Sequence, residues 1–183
     1  MRKVVAAEYI SVDGVMENPA WTGEFFNDEL AKAQYDLLFA SDALLLGRVT
    51  YQGFAAAWPT MEGTGDFGER MNSMPKYVAT RTLDTAEWNA TLIKGDVADA
   101  VAELKQQPGQ NLLIYGSADL MNTLMEHDLI DEYRLMLHPV VVGSGKRLFN
   151  DGHDTKKFRL VEMEQTGTGV LILTYALAQK EEG

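Results

Sequence analysis

The sequence lacks cysteine altogether and contains only three histidines. Without cysteine there is no disulfide, no thiolate zinc site and no cysteine nucleophile. The histidines, His127, His138 and His153, show no metal-ligand spacing, so each is expected to be structural or exposed. We therefore predict no metal site.

Positive charge is also scarce. The 16 Lys and Arg residues stand against 27 Asp and Glu, which gives a net charge of -11. A protein that binds nucleic acid through phosphates needs a basic face, so no nucleic-acid partner is expected. No apolar run approaches membrane-spanning length, and the first apolar stretch meets Glu8 too soon for a signal peptide. We expect a soluble, cytoplasmic protein with no membrane partner.

The chain is long enough for one domain of ordinary size. It has 183 residues, 46% of them hydrophobic, and no internal repeat or linker. Apolar periodicity predicts the order β-α-β-α-β-β-α-β-α-β-β-β, with Gly63 to Gly68 as a polar surface excursion. The predicted strands are 4–10, 43–46, 76–79, 91–93, 112–115, 132–137, 158–164 and 170–176. The predicted helices are Trp21 to Phe39, one from residue 48 or 49, 96–106, and 117–126 capped by Ser117.

This alternation predicts an α/β fold in residues 1–183. We expect a single-domain, three-layer arrangement with a mostly parallel twisted sheet and helices on both faces. The last two strands form an antiparallel hairpin across Gly167, Thr168 and Gly169. Ligands of such sheets bind at the carboxyl ends of the strands.

Two short glycine segments follow buried strands at that edge. Gly47, Arg48 and Thr50 follow the strand at 43–46, and Gly116 with Ser117 follows the strand at 112–115. Glycine allows close approach of backbone N–H groups to a ligand, and the helix behind it adds a positive dipole end. Two such anion-binding corners favour a cofactor with more than one phosphate.

A hydroxyl and a guanidinium, Thr80 and Arg81, follow the strand at 76–79. Their functional interpretation is a site for a ribose 2′-phosphate, and the alternative is that they are simply polar edge residues. Because the chain is acidic overall, an anionic cofactor needs locally concentrated cations. Arg48, Lys76 and Arg81 are the ones predicted to lie near the corners.

As a set, these segments resemble the dihydrofolate-reductase-like fold. The branch they resemble is the C-terminal reductase domain of bacterial riboflavin-biosynthesis deaminase/reductase proteins, here as a stand-alone relative without the zinc deaminase half. The resemblance covers nearly the whole chain. It is carried by five segments, Ser11 to Gly14, Leu46 to Tyr51, Pro75 to Arg81, Tyr115 to Leu120, and His138 to Gly145.

The resemblance implies an NADPH site. Gly47, Arg48 and Thr50 would form the first pyrophosphate-binding corner, and Thr80 with Arg81 would lie at the adenosine 2′-phosphate. The remaining cofactor residues implied are Gly116, Ser117 and Ala118, which would close over the pyrophosphate and nicotinamide side. Asp13 and Gly14 would lie in a mobile loop near the nicotinamide and substrate.

The proton donor is less clearly marked. The resemblance implies a single carboxylate on the first helix, for which Asp28, Glu29 and Asp36 are candidates. Asp13 lies nearest the expected nicotinamide end, so it is the first choice and Asp28 the second. Where dihydrofolate reductases place an arginine for the folate tail, this chain has Met74, which argues against folate itself.

Two classes of function remain open from the sequence. The first is an NADPH-dependent reductase that transfers a hydride to a small polar substrate of pyrimidine, pterin or carbonyl type. The alternative is a non-catalytic nucleotide-binding or partner-binding protein that keeps the reductase fold. A homodimer is expected in either case, because the late strands contain continuous apolar runs at 135–137, 140–142 and 170–173.

Overall fold

Eight strands form one sheet at the centre of the protein, whose computed structural model describes residues 1–178. The order across the sheet is β4-β3-β2-β5-β1-β6-β8-β7. Neighbours from β4 to β6 run parallel, whereas β8 is antiparallel to both β6 and β7. The strands are β1 Val4–Ser11, β2 Ser41–Gly47, β3 Lys76–Ala79, β4 Ala90–Ile93, β5 Asn111–Tyr115, β6 Glu132–His138, β7 Phe158–Gln165 and β8 Leu171–Leu177.

Helices cover both faces of this sheet, which confirms the predicted three-layer α/β architecture. One core contains buried side chains of α4 and α5, and the other contains those of α1, α2 and α3. The helices are α1 Asp28–Phe39, α2 Arg48–Ala57, α3 Gly65–Ser73, α4 Val97–Gln106 and α5 Ala118–Glu126, with 3-10 helices at Pro19–Phe25 and Trp58–Thr60.

The predicted helix from Trp21 to Phe39 is wrong in its first half. The structure has a 3-10 helix at Pro19–Phe25 and an extended residue at Phe26. A new helix, α1, then starts behind Asn27, whose side-chain Oδ1 accepts a hydrogen bond of 3.0 Å from the N–H of Leu30. An asparagine that caps in this way fixes a helix start.

The predicted polar excursion at Gly63 to Gly68 is also wrong, because α3 begins at Gly65. Met71 anchors this helix in the core. Gly68 lies so close to the Thr64 side chain that a β-carbon there would stand 1.9 Å from its Oγ1. The glycine that suggested a loop is thus a packing requirement.

Lys76 is not a cation of the predicted site. It lies at the start of β3, away from the carboxyl edge, and its side chain is fully buried. Its Nζ donates to the carbonyl oxygen of Asn72 at 3.1 Å and stands 3.8 Å from the ring centroid of Trp88. Burial lowers the pKa of Lys76 to about 8.

Candidate active site

A cleft of about 1940 Å³ opens along the carboxyl edge of the sheet, where the parallel strands end together. It has two parts. The glycine lobe is lined by residues 47–50, 79–82, 93, 95–98, 116, 117, 119, 120 and 123, at the ends of β2 to β5 and the starts of α2, α4 and α5. The aromatic lobe lies between α1, α2 and α3 and is lined by Phe26, Tyr35, Phe54, Trp58, Met61 and Phe67.

The turn from β5 into α5 shapes the floor of the glycine lobe. Gly116 and Ser117 are both left-handed, with φ of 53° and 60°. A β-carbon at Gly116 would stand 3.0 Å from the Thr50 Oγ1. Glycine is therefore needed here for the backbone angle and for close approach to the first turn of α2.

Ser117 precedes α5 but does not cap it, contrary to prediction, since its side chain makes no cap hydrogen bond. Its Oγ accepts a hydrogen bond of 2.8 Å from the backbone N–H of Gly47 and donates one of 3.1 Å to the carbonyl oxygen of Tyr115. The N–H of Gly47 is thereby engaged within the protein. The serine instead joins the two glycine corners into one site.

The remaining residues predicted to bind a cofactor divide into those that line the cleft and one that does not. Arg48, Thr50, Thr80 and Arg81 line the glycine lobe. Ala118 is buried at the start of α5 and is not part of the lining. The structure therefore brings the two corners and the end of β3 into one cleft.

These lining side chains differ in how far they are already engaged. Arg48 Nη1 donates to Gln52 Oε1 at 3.0 Å. Thr80 Oγ1 accepts from two backbone N–H groups, those of Thr82 at 3.2 Å and Leu83 at 3.1 Å. Arg81 is exposed and, within residues 1–178, makes no hydrogen bond or ion pair. It is thus the arginine of the lobe that is available to an anion.

The two carboxylates predicted as proton donors lie outside the cleft. Asp13 accepts hydrogen bonds from the backbone N–H groups of Val142 at 3.1 Å and Gly143 at 2.8 Å. Its hydrogen bonds, foremost that from the Ser11 hydroxyl, lower the pKa of Asp13 to about 2, so it is ionised and holds two loops together. Asp28 is exposed at the start of α1.

The carboxyl group that does line the cleft is Glu8, whose role the sequence interpretation missed. It is only 2% exposed and lies within β1, just beyond the end of the neighbouring strand β5 and beside Gly116. Its Oε1 is buried without a hydrogen-bond partner in the described chain. Burial raises the pKa of Glu8 well above its usual value, and the nearby N–H of Gly116 lowers it in part. Burial thus favours the protonated, neutral form of Glu8.

A signal for Glu8 was present in the sequence. It is the single charged residue in the otherwise apolar stretch Val4 to Ile10. A charge within a strand that is buried on both faces is unusual, because desolvation is costly unless the group is neutral or paired. Such residues concentrate at functional sites.

No cluster of three or more metal-binding side chains occurs among residues 1–178. His138 is buried with its ring edge-on to Tyr9, Trp21 and Phe25, at centroid distances of 5.3, 5.4 and 5.8 Å. It is a structural residue, as predicted. Of the helices in this same part of the chain, none combines the length and apolarity required to cross a bilayer.

The fold and the cleft together define a reductase-like α/β domain with a candidate ligand cleft at the carboxyl edge of its sheet. The chain belongs to the RibD C-terminal domain family, whose model matches residues 2–172. This confirms the resemblance inferred from the sequence. The family and its structural neighbours point to a reductase-type enzyme.

Individual comparisons agree with this membership. The chain is 31% identical to the uncharacterized protein YwjB of Bacillus subtilis over 174 residues, which covers 92% of this chain and 95% of YwjB. A putative riboflavin biosynthesis protein from Shewanella sp. PV-4 superposes with a TM-score of 0.72 at 21% identity, covering 98% and 100% of the two chains. A Thermotoga maritima diaminohydroxyphosphoribosylaminopyrimidine deaminase/5-amino-6-(5-phosphoribosylamino)uracil reductase gives a TM-score of 0.67 at 14% identity, with 97% of this chain and 57% of that one covered.

Proposed function

We propose that the protein is an NADPH-dependent reductase that transfers a hydride to a small polar substrate of pyrimidine, pterin or carbonyl type. The observation that carries this proposal is the glycine lobe. There the starts of α2 and α5 meet at a left-handed Gly116, with Arg81 available at the rim. Family membership supports the reductase chemistry.

The glycine lobe fits a dinucleotide with three phosphate groups. The starts of α2 and α5 provide backbone N–H groups and positive dipole ends for the pyrophosphate, close to the Thr50 hydroxyl. The absence of a side chain at Gly116 lets the Thr50 side chain pack against this turn, which brings the Thr50 hydroxyl to the floor of the lobe. Arg81 would receive the 2′-phosphate, because a guanidinium forms strong charge-assisted bonds with phosphate oxygens.

A bound NADPH supplies the hydride, which adds to a carbon of a C=O or C=N bond. The oxygen or nitrogen of that bond would take up one proton, so that the substrate would gain two hydrogens and NADP⁺ would be the other product. Glu8 is the residue we assign as the holder of this proton. Burial favours its protonated form, and it lines the cleft beside Gly116.

Calorimetric titration with NADPH and NADH, followed by NADPH oxidation with pterin, pyrimidine and aldehyde acceptors, tests the proposal. We expect NADPH to bind more tightly than NADH and to be consumed with at least one acceptor class. Gly116→Ala should weaken NADPH binding, since a β-carbon there meets Thr50 and the φ of 53° disfavours alanine. Gly23→Ala is the control, because a β-carbon at Gly23 meets nothing within 4 Å and Gly23 lies outside the cleft. Absence of NADPH binding would refute the proposal, and binding without turnover would favour the non-catalytic alternative.

A further inference from the structure

The side chains that line the aromatic lobe indicate the class of molecule that binds there. The assignment of that molecule as the substrate rests on the proposed reductase function. We propose that the lobe binds an uncharged, unphosphorylated planar heterocycle whose edge carries an N–H donor. The substrate would then differ in class from a phosphoribosylamino-uracil, the compound in the name of the Thermotoga maritima neighbour.

The walls of the lobe are suited to a flat ring. Five aromatic side chains line it, Phe26, Tyr35, Phe54, Trp58 and Phe67. Phe26 and Met61 are 54% and 46% exposed at its mouth. Large apolar side chains left open around a cleft mark a surface that a ligand covers. Aromatic faces also favour planar partners.

The position of these walls is fixed by contacts between the helices. The Tyr35 hydroxyl donates to Asp66 Oδ2 at 2.7 Å, which ties α1 to α3. The Tyr35 ring stacks on Phe39 with centroids 4.3 Å apart, and Trp58 packs against Phe67 at 5.7 Å. The lobe is therefore preformed.

Besides Glu8 Oε1, two further buried polar atoms of the cleft lack partners. Gln34 Oε1 and the Tyr115 hydroxyl are both buried and make no hydrogen bond within the described chain. Buried polar atoms are nearly always paired, and the amide oxygen accepts only. A ligand N–H would satisfy Gln34. The Tyr115 hydroxyl, kept neutral because burial raises its pKa, would donate to or accept from the same ligand edge.

Charge in the cleft excludes a phosphate from this lobe. Among the described lining residues the Lys and Arg side chains are Arg48, Arg81 and Lys146. Arg48 and Arg81 stand in the glycine lobe, and Lys146 pairs with Asp119 of α5 at 2.7 Å. The start of α3 also lies here, but its first turn contains Asp66, whose charge opposes an anion. Arg134 is near enough to affect the pKa of Tyr115, yet it lines a separate groove beside α1.

A matched ligand series tests this with the NADPH-saturated protein. Lumichrome, riboflavin and FMN share a planar ring with an N–H between two carbonyls, and only FMN carries a phosphate. We expect fluorescence titration to give at least tenfold tighter binding of lumichrome and riboflavin than of FMN. Equal or tighter binding of FMN would overturn the proposal, as would failure of lumichrome and riboflavin to bind.

Variants locate the binding in the lobe. Gln34→Ala and Tyr115→Phe should each weaken lumichrome binding about five- to tenfold while leaving NADPH affinity unchanged, and Gln106→Ala at the far end of α4 should change neither. Met61→Lys should strengthen FMN binding severalfold and leave lumichrome unaffected. If none of the three lobe variants alters flavin affinity, the assignment is wrong. Lumichrome binding in a protein that does not bind NADPH would refute the proposed function and leave the lobe's ligand class standing.

Discussion

The Oγ of Ser117 accepts a hydrogen bond of 2.8 Å from the backbone N–H of Gly47. Gly47 is the last residue of β2, and Ser117 lies in the turn that follows β5. The hydrogen bond therefore joins the ends of two neighbouring strands at the cleft. Ser117 holds its position with a left-handed φ of 60°, an angle that is uncommon for residues other than glycine. Strained backbone is concentrated at functional sites, so the left-handed Ser117 supports a functional role for this turn.

Two substitutions of Ser117 distinguish the stability contributed by its hydrogen bond from the cost of its left-handed backbone. Ser117→Ala should destabilise the protein by about 1 kcal/mol, because it removes the partner of the Gly47 N–H. Ser117→Gly loses the same bond but relieves the left-handed φ, so it should be less destabilised than the alanine variant by about 1 kcal/mol. Urea unfolding measures both. An alanine variant as stable as the wild type would show that the link between the corners contributes nothing.

Arg81 should determine the preference for NADPH over NADH. A charge-assisted bond to the 2′-phosphate contributes about 1.5–3 kcal/mol, or about ten- to a hundredfold in affinity. Arg81→Ala should remove most of that preference in calorimetric titrations. Arg159→Ala, which removes an exposed arginine on β7, should leave it intact. Equal affinity of the wild type for both cofactors would contradict the role given to Arg81.

Glu8 should make stability depend on pH in a defined direction. Its folded-state pKa is raised, so above the ordinary pKa of about 4.3 the unfolded chain releases a proton that the folded chain keeps. Stability contributed by this site therefore falls as pH rises from that value to the folded pKa, by up to about 1.4 kcal/mol per pH unit. Glu8→Gln should remove this slope. The free energy of unfolding of the variant minus that of the wild type should therefore be larger at pH 7.5 than at pH 4.5.

Urea unfolding of both proteins at pH 4.5, 6 and 7.5 measures the difference. Loss of acceptor reduction by Glu8→Gln, with NADPH affinity preserved, would support its assignment as the proton holder. A constant stability difference across this range would show that Glu8 is not kept protonated by the fold.

Short-range patterns were enough to predict the strands and the two corners, because a buried strand followed by glycine is visible within a few residues. The partner of Ser117 was not visible in this way, since Gly47 lies 70 positions earlier. α3 was missed because Gly65 and Gly68 resemble loop residues until Thr64 is seen packed against Gly68. The single charge of Glu8 within an apolar strand was visible locally, but its place in the cleft depends on β5 and β6 flanking β1.

We expect the protein to form a homodimer through the C-terminal part of the sheet. On the edge strand β7, Leu160 and Met163 are 49% and 58% exposed and oppose Tyr175 and Leu173 of β8. An exposed apolar edge strand favours association. Sedimentation at micromolar concentration should give twice 20.3 kDa, and Leu160→Glu with Met163→Glu should shift it to a monomer.

A matched variant keeps the dimer prediction specific to one face. Glu162 lies on the same strand but lines the groove beside α1 on the opposite face of the sheet. Glu162→Gln should therefore leave the sedimentation mass unchanged. A wild-type protein that sediments only as a 20.3 kDa species would count against the dimer.

Methotrexate-type antifolates should bind weakly even with NADPH present. Tight binding in dihydrofolate reductases implies a buried carboxylate on the first helix, but α1 presents Ala31, Gln34 and Tyr35 to the cleft. Loss of one partner of a buried charged pair costs about 3–5 kcal/mol, a factor of hundreds to thousands. Gln34→Glu should therefore tighten methotrexate binding at least tenfold in calorimetry, whereas Asp36→Asn on the exposed side of α1 should not. Nanomolar binding by the wild type, abolished in Glu8→Gln, would instead show that the carboxyl on β1 pairs with the pteridine.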